Sequence, residues 1–157
     1  MSEATEPHDY ELAATLFTEY ADALGVDLAF QGFEAELGML AQTYQQPHGC
    51  LLLAKNEVSV VGCGAFRRLQ AGICEMKHLY VRGLNAGSVL AQALIVRARA
   101  AGYESMRLDT LATMTSAIRR YRGLGFREIP AYYDTPLEGT LFLELRLQRS
   151  FSAQRLF

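Results

Sequence analysis

From Ile73 to Phe126 the chain twice exchanges an apolar strand for a helix, and that order leaves few folds open. The stretch Ile73-Cys74-Glu75-Met76-Lys77-His78-Leu79-Tyr80-Val81 reads as a strand carrying one carboxylate, and a small-residue turn leads from it into a helix over Gly87–Ala101, closed by Gly102. Ser105–Leu111 reads as a second strand and Thr115–Arg122 as a second helix, ended by Gly123 or Gly125. A helix between the two strands is a crossover, which sets them parallel.

The strands before this unit point the other way. Cys50–Ala54 and Val58–Phe66 flank Asn56-Glu57 as a hairpin, and Gln70-Ala71-Gly72 turns the chain into the Ile73–Val81 strand. Thr140–Leu147 alternates apolar and polar-capable residues as a late strand, with a shorter one near Phe126–Ile129. Ahead of the hairpin, Leu12, Ala13, Leu16, Phe17, Tyr20, Ala21 and Leu24 repeat at helical spacing, with Asp9 as cap and Gly25 as stop. A further helix is expected over Glu34–Thr43, closed off by Pro47 and Gly49. The fold class is therefore α/β: a mixed, mostly antiparallel sheet with one parallel pair and flanking helices.

At 157 residues the chain has the length of one domain, and a domain of this size buries about 68–70% of its unfolded surface. A single domain over 1–157 is expected; the tail Gln148–Phe157 is too short for a second. The 13 Arg and 2 Lys are scattered and balanced by 17 acids, which favours neither nucleic acid nor a membrane surface as partner. Cys50, Cys63 and Cys74 lie in apolar segments at no metal-ligand spacing, as buried thiols of a reducing compartment do. No charged-then-apolar leader opens the chain and no apolar run reaches the roughly 20 residues of a membrane span. A cytoplasmic protein is the expectation.

Glu75–Arg82, Ala93-Leu94, Ala98-Arg99, Gly102-Tyr103, Leu108–Leu111 and Tyr121-Arg122-Gly123-Leu124-Gly125-Phe126 stand in an order and spacing that resembles the GNAT superfamily of N-acetyltransferases, over roughly residues 9 to 147. The resemblance implies a splayed parallel pair of strands with acetyl-CoA, a co-substrate, in the gap. The backbone of Leu79, Tyr80 and Val81 would hydrogen-bond the pantetheine arm, satisfying groups that the splay leaves unpaired.

The resemblance also places the pyrophosphate at the start of the following helix, where free N–H groups and the helix dipole favour an anion. The family writes that loop Gln/Arg-x-x-Gly-x-Gly/Ala, and a gapless count gives Ala86-Gly87-Ser88-Val89-Leu90-Ala91. Ala86 and Val89 depart from the pattern and Ala91 fits. On that count Val89→Gly is expected to tighten cofactor binding, because a β-branched residue resists a left-handed backbone. A shifted count, Arg82-Gly83-Leu84-Asn85-Ala86-Gly87, restores an Arg but slides the loop by four residues.

For chemistry, Tyr121 resembles the family tyrosine that protonates the departing thiolate. Glu75 lies where some members carry the base; desolvation in an apolar strand would raise its pKa, whereas a surface pair with Lys77 or an Arg is the bland reading. Strand alternation puts Glu75, Lys77, Leu79 and Val81 on one face and Met76, His78 and Tyr80 on the other unless a bulge intervenes, which makes His78 the weaker base. Tyr103, Tyr132 and Tyr133 read as packing residues. Asp27, Glu34, Glu36 and Asp134 are candidates to hold an acceptor ammonium, with Phe30 and Phe33 as core anchors. No Cys, Ser or Lys stands out as a covalent relay, and no metal is required.

The expected activity is transfer of acetyl from acetyl-CoA to a primary amine, of a small molecule rather than a protein, by direct attack in a ternary complex. The alternative is a catalytically inactive acyl-CoA-sensing or protein-interaction module. The sequence leaves monomer and homodimer open.

Overall fold

The computed structural model describes residues 1–25, 32–82 and 87–147. Seven strands form one sheet in the order β1-β2-β3-β4-β5-β7-β6. They are β1 (Ser2–Glu3), β2 (Cys50–Lys55), β3 (Val60–Gln70), β4 (Ile73–Val81), β5 (Ser105–Leu111), β6 (Arg127–Ile129) and β7 (Thr140–Arg146). β4 and β5 are parallel, Ile73 facing Ser105 and Glu75 facing Arg107, as the crossover through α4 (Gly87–Ala100) requires. The other ladders are antiparallel, which gives the mixed α/β sheet expected from the sequence.

The described residues divide into two compact units. The first comprises Met1–Arg67 with Met76–Leu94. Its helix α1 (Pro7–Leu24) starts with Pro at the first turn and stops at Gly25, whose φ of 69° is the left-handed cap that glycine adopts without a Cβ penalty. Asp9 lies one turn further in than a cap residue: its carboxylate accepts from the backbone N–H of Thr5 and Glu6, which lowers its pKa. The buried stripe Ala13, Leu16 and Phe17 packs with Leu51, Leu53 and Ala65 of β2 and β3.

The helix expected over Glu34–Thr43 is two short ones, α2 (Phe33–Leu37) and α3 (Leu40–Thr43), parted at Gly38 and Met39. Gly38 caps α2 through its N–H to the Ala35 carbonyl, and the chain restarts one residue later. β1 is an addition to the expected strands; two residues carry no period to read, and β1 exists because Ser2 and Glu3 pair with Leu53 and Leu52. In the β2–β3 turn Asn56 Oδ1 accepts from the N–H groups of Val58 and Ser59, so β3 begins at Val60 rather than Val58.

Two glycines of β3 hold the first unit's helix close. A Cβ on Gly64 would lie 2.9 Å from Leu79 Cδ1 and Leu94 Cδ1, and one on Gly62 would lie 2.9 Å from the Tyr80 carbonyl oxygen. Side chains of α4 and the backbone of β4 thus occupy the space that larger residues would take.

The second unit comprises Arg68–Glu75 with Ile95 onward. Met106, Leu108 and Leu143 are buried along β5 and β7, and α5 (Thr115–Gly123) buries Tyr121. Register puts Glu75, Arg107, Glu144 and Arg127 in one row across β4, β5, β7 and β6, since directly opposed residues share a face. Segment 130–139 returns from β6 to β7 with Tyr132 and Tyr133 packed edge-on against Phe142 of that same face.

Candidate active site

In the second unit, Glu75 is only 3% exposed, so it is no surface ion pair. The Tyr132 hydroxyl donates to its Oε2 at 2.6 Å. Burial and the neighbouring Glu75 carboxylate both push the Tyr132 pKa up, which keeps the phenol a proton donor to that carboxylate. The Tyr133 hydroxyl likewise donates to Asp109. Tyr132 and Tyr133 therefore do more than pack: each turns its hydroxyl to an acid of the sheet. Tyr121 is 7% exposed and meets Phe126 edge-to-face at 5.6 Å. Tyr103 is buried as expected, and that burial raises its pKa.

In the first unit, His78 breaks the alternation of β4. Its φ is 59°, the sole positive value of a non-glycine among the described residues. Such a conformation costs a non-glycine residue about 1–3 kcal/mol and persists only where surroundings hold it. Phe17 stacks on the ring at 4.0 Å, Phe33 lies tilted at 6.1 Å, and Nε2 meets Glu36 Oε2 at 3.0 Å.

Burial works against the Glu36 charge, but hydrogen bonds from His78 and Tyr44 outweigh it and hold the carboxyl at about 2. Burial also depresses the His78 pKa, against the upward pull of Glu36. At neutral pH the carboxylate can only accept, so the imidazole Nε2 carries the proton in this bond. Glu36 is thus committed to His78 and Tyr44 rather than open as an ammonium site. Glu34 and Asp134 are exposed, Phe33 is half-buried, and Asp27 and Phe30 lie outside the described residues.

The start of α4 carries the later residues of the gapless count. Gly87 is its first helical residue, so Ser88, Val89, Leu90 and Ala91 form its first turn instead of a loop. Leu90 and Ala91 are fully buried against the protein. Val89 is 54% exposed and takes no positive φ, so its side chain neither needs a left-handed backbone nor turns inward. The helix-start N–H groups of α4 belong to Gly87, Ser88 and Val89. Ala86 and the rest of 83–86 lie outside the described residues.

Arg82 is tied elsewhere. Its Nε and Nη2 bind both oxygens of Glu19 at 2.8 and 2.9 Å, and its Nη1 donates to the Val60 carbonyl at 3.1 Å. The Tyr80 hydroxyl completes the cluster by donating to Glu19 at 2.7 Å. Leu79 and Val81 are half-buried beside the β3 glycines.

Cys50, Cys63 and Cys74 are buried and form no disulfide; desolvation pushes the thiols of Cys63 and Cys74 up to about 12, which leaves them poor nucleophiles. Among the described residues no cluster of three His, Cys, Asp or Glu could hold a metal ion, and no helix is long and apolar enough to cross a membrane.

Comparison with known proteins gives the family and the fold. The Acetyltransferase (GNAT) family matches residues 13–126. An uncharacterized N-acetyltransferase of Schizosaccharomyces pombe is 36% identical over 149 residues, 91% of each chain. A GNAT-family acetyltransferase of Staphylococcus aureus superposes with a TM-score of 0.75 at 22% identity, over 94% of this chain and 98% of that one. The Salmonella typhimurium protein yncA, whose structure holds its cofactor acetyl-CoA, superposes with a TM-score of 0.62 at 19% identity, over 95% of this chain and 96% of that one. The chain belongs to the GNAT acetyltransferase family.

Proposed function

We propose that the protein moves acetyl from acetyl-CoA to the primary amine of a small molecule by direct attack in a ternary complex. The observation that carries the cofactor half is the start of α4: Gly87, Ser88 and Val89 offer consecutive backbone N–H groups at the positive end of a 14-residue helix, with Ser88 and Val89 exposed. These groups fit a pyrophosphate, and the backbone of Leu79, Tyr80 and Val81 fits the pantetheine arm of the co-substrate.

In this reading Glu75 takes a proton from the acceptor ammonium, directly or through a water. The freed amine attacks the thioester carbonyl, the C–S bond breaks, Tyr121 delivers a proton to the departing thiolate, and the second proton shed by the nitrogen as it becomes an amide restores the phenol through solvent. Tyr132 holds the Glu75 carboxylate in place. The high thiol pKa values of Cys63 and Cys74 support transfer without an acyl-enzyme step. Buried cysteines held as thiols also support a cytoplasmic setting.

The alternative, a catalytically silent acyl-CoA sensor, draws on Ala86 and Val89 as departures from the family loop. The helical, outward-facing Val89 weakens that case. Calorimetric titration with acetyl-CoA, and with free CoA beside it, tests the cofactor half. Saturable binding supports the reading, whereas no binding at millimolar ligand overturns it.

A further inference from the structure

Arg107 of β5 lies in the row that begins at Glu75, and it is three-quarters buried. Its Nε donates to Glu144 Oε2 at 2.8 Å and its guanidinium carbon lies 5.4 Å from the centre of the Tyr132 ring. Both Nη nitrogens lack a hydrogen-bond partner among the described residues. A mostly buried guanidinium with unused donors is costly unless a ligand or water meets them.

Arg107 lines a cavity of about 350 Å³ together with Ile129, Pro130, Ala131, Tyr132 and Glu144. That volume is at the small end of ligand sites. Glu144 neutralises the cavity as a whole, but it occupies only the Nε side of the guanidinium. The planar pair of Nη groups matches the two oxygens of a carboxylate. Tyr132 also lines the cavity, and its hydroxyl reaches Glu75. One tyrosine side chain therefore borders both the Arg107 guanidinium and the acid that would take the ammonium proton.

We propose that the acceptor is an amine that also carries a carboxylate, a small amino acid in the chemical sense, with its carboxylate on the Nη groups of Arg107 and its amine toward Glu75. This rests on the acetyltransferase reading above and adds the substrate class to it. A neutral or purely cationic amine would leave the guanidinium donors unmet.

The test compares acetylation of glycine, β-alanine and 4-aminobutyrate with that of methylamine, ethylamine and propylamine, and separately follows binding of butyrate, which has no amine, by saturation-transfer NMR. At the best chain length the wild-type protein is expected to prefer the amino acid by about ten- to a hundredfold in kcat/KM, the worth of a charge-assisted contact. Arg107→Met should bring that ratio to near one and abolish butyrate binding. Should Arg107→Met fail to fold, the paired change R107M/E144L removes both charges and is read instead. Equal use of amino acids and alkylamines, or a preference that survives these changes, overturns the proposal. Arg107-dependent butyrate binding without turnover of any amine would remove the acetyltransferase reading and leave the carboxylate site; turnover without butyrate binding would do the reverse.

Discussion

The Tyr132 hydroxyl donates a 2.6 Å hydrogen bond to the Glu75 carboxylate, fastening the segment after β6 to an acid buried in β4. Removing that donor leaves a buried carboxylate one partner short. Tyr132→Phe is expected to cost about 1.5–3 kcal/mol of stability, the worth of a hydrogen bond to a charged group, measured by urea unfolding. It should lower turnover less than Glu75→Gln, which removes the proton acceptor and should cost about 10²–10⁴-fold.

Tyr121 sits at 7% exposure against Phe126, so its ring is held whether or not the hydroxyl works. Tyr121→Phe keeps that packing and deletes the proton. Turnover should fall by more than tenfold while the Kd for acetyl-CoA changes by less than about threefold. Equal turnover in the two proteins would take Tyr121 out of the acid role.

Acid should unfold the first unit through Glu36 and His78. Both have folded pKa values below their unfolded ones, so in each case the unfolded chain binds protons first and stability falls with pH. The His78 share is present above about 6.5 and is lost below it. The Glu36 share is present above 4.5 and is lost as pH falls toward about 2. In Glu36→Gln, unfolding free energies measured across pH should lose the slope between 4.5 and 2.

Val89→Gly is expected to leave acetyl-CoA affinity unchanged or slightly weakened, since Val89 faces solvent from a regular helix. Its stability cost should be a few tenths of a kcal/mol, the difference in helix propensity between valine and glycine. Gly62→Ala should do more harm, because its Cβ would press on the Tyr80 carbonyl at 2.9 Å. That contact is backbone and cannot swing aside, so both stability and cofactor affinity should drop. Thermal unfolding and calorimetry check the two variants together.

Much of the architecture is written in local pattern. The β2–β3 turn and the β4–α4–β5 crossover follow from period changes and turn residues that neighbours in sequence supply. The break between α2 and α3 and the two-residue β1 do not, since a cap at Gly38 and a pairing with β2 depend on what lies nearby in space. The site divides the same way. Glu75 and Tyr121 stand out as residue types in strand and helix, but Tyr132 meets Glu75 from 57 residues away. Nothing in the neighbours of His78 foretells its left-handed backbone, and nothing near Arg82 foretells its capture by Glu19 of α1. The start of α4 at Gly87 is legible from the small-residue turn before it, whereas the exposure of Val89 on its first turn depends on what the helix packs against.

The central claim is acetyl transfer to an amine. Incubation with acetyl-CoA and a panel of small primary amines, with acetylated amine and released CoA both quantified by mass spectrometry, tests it most directly. The account predicts saturable release of CoA matched one-to-one by acetylated amine, and loss of both in Glu75→Gln. Bound acetyl-CoA with no acetylated product from any amine would contradict it.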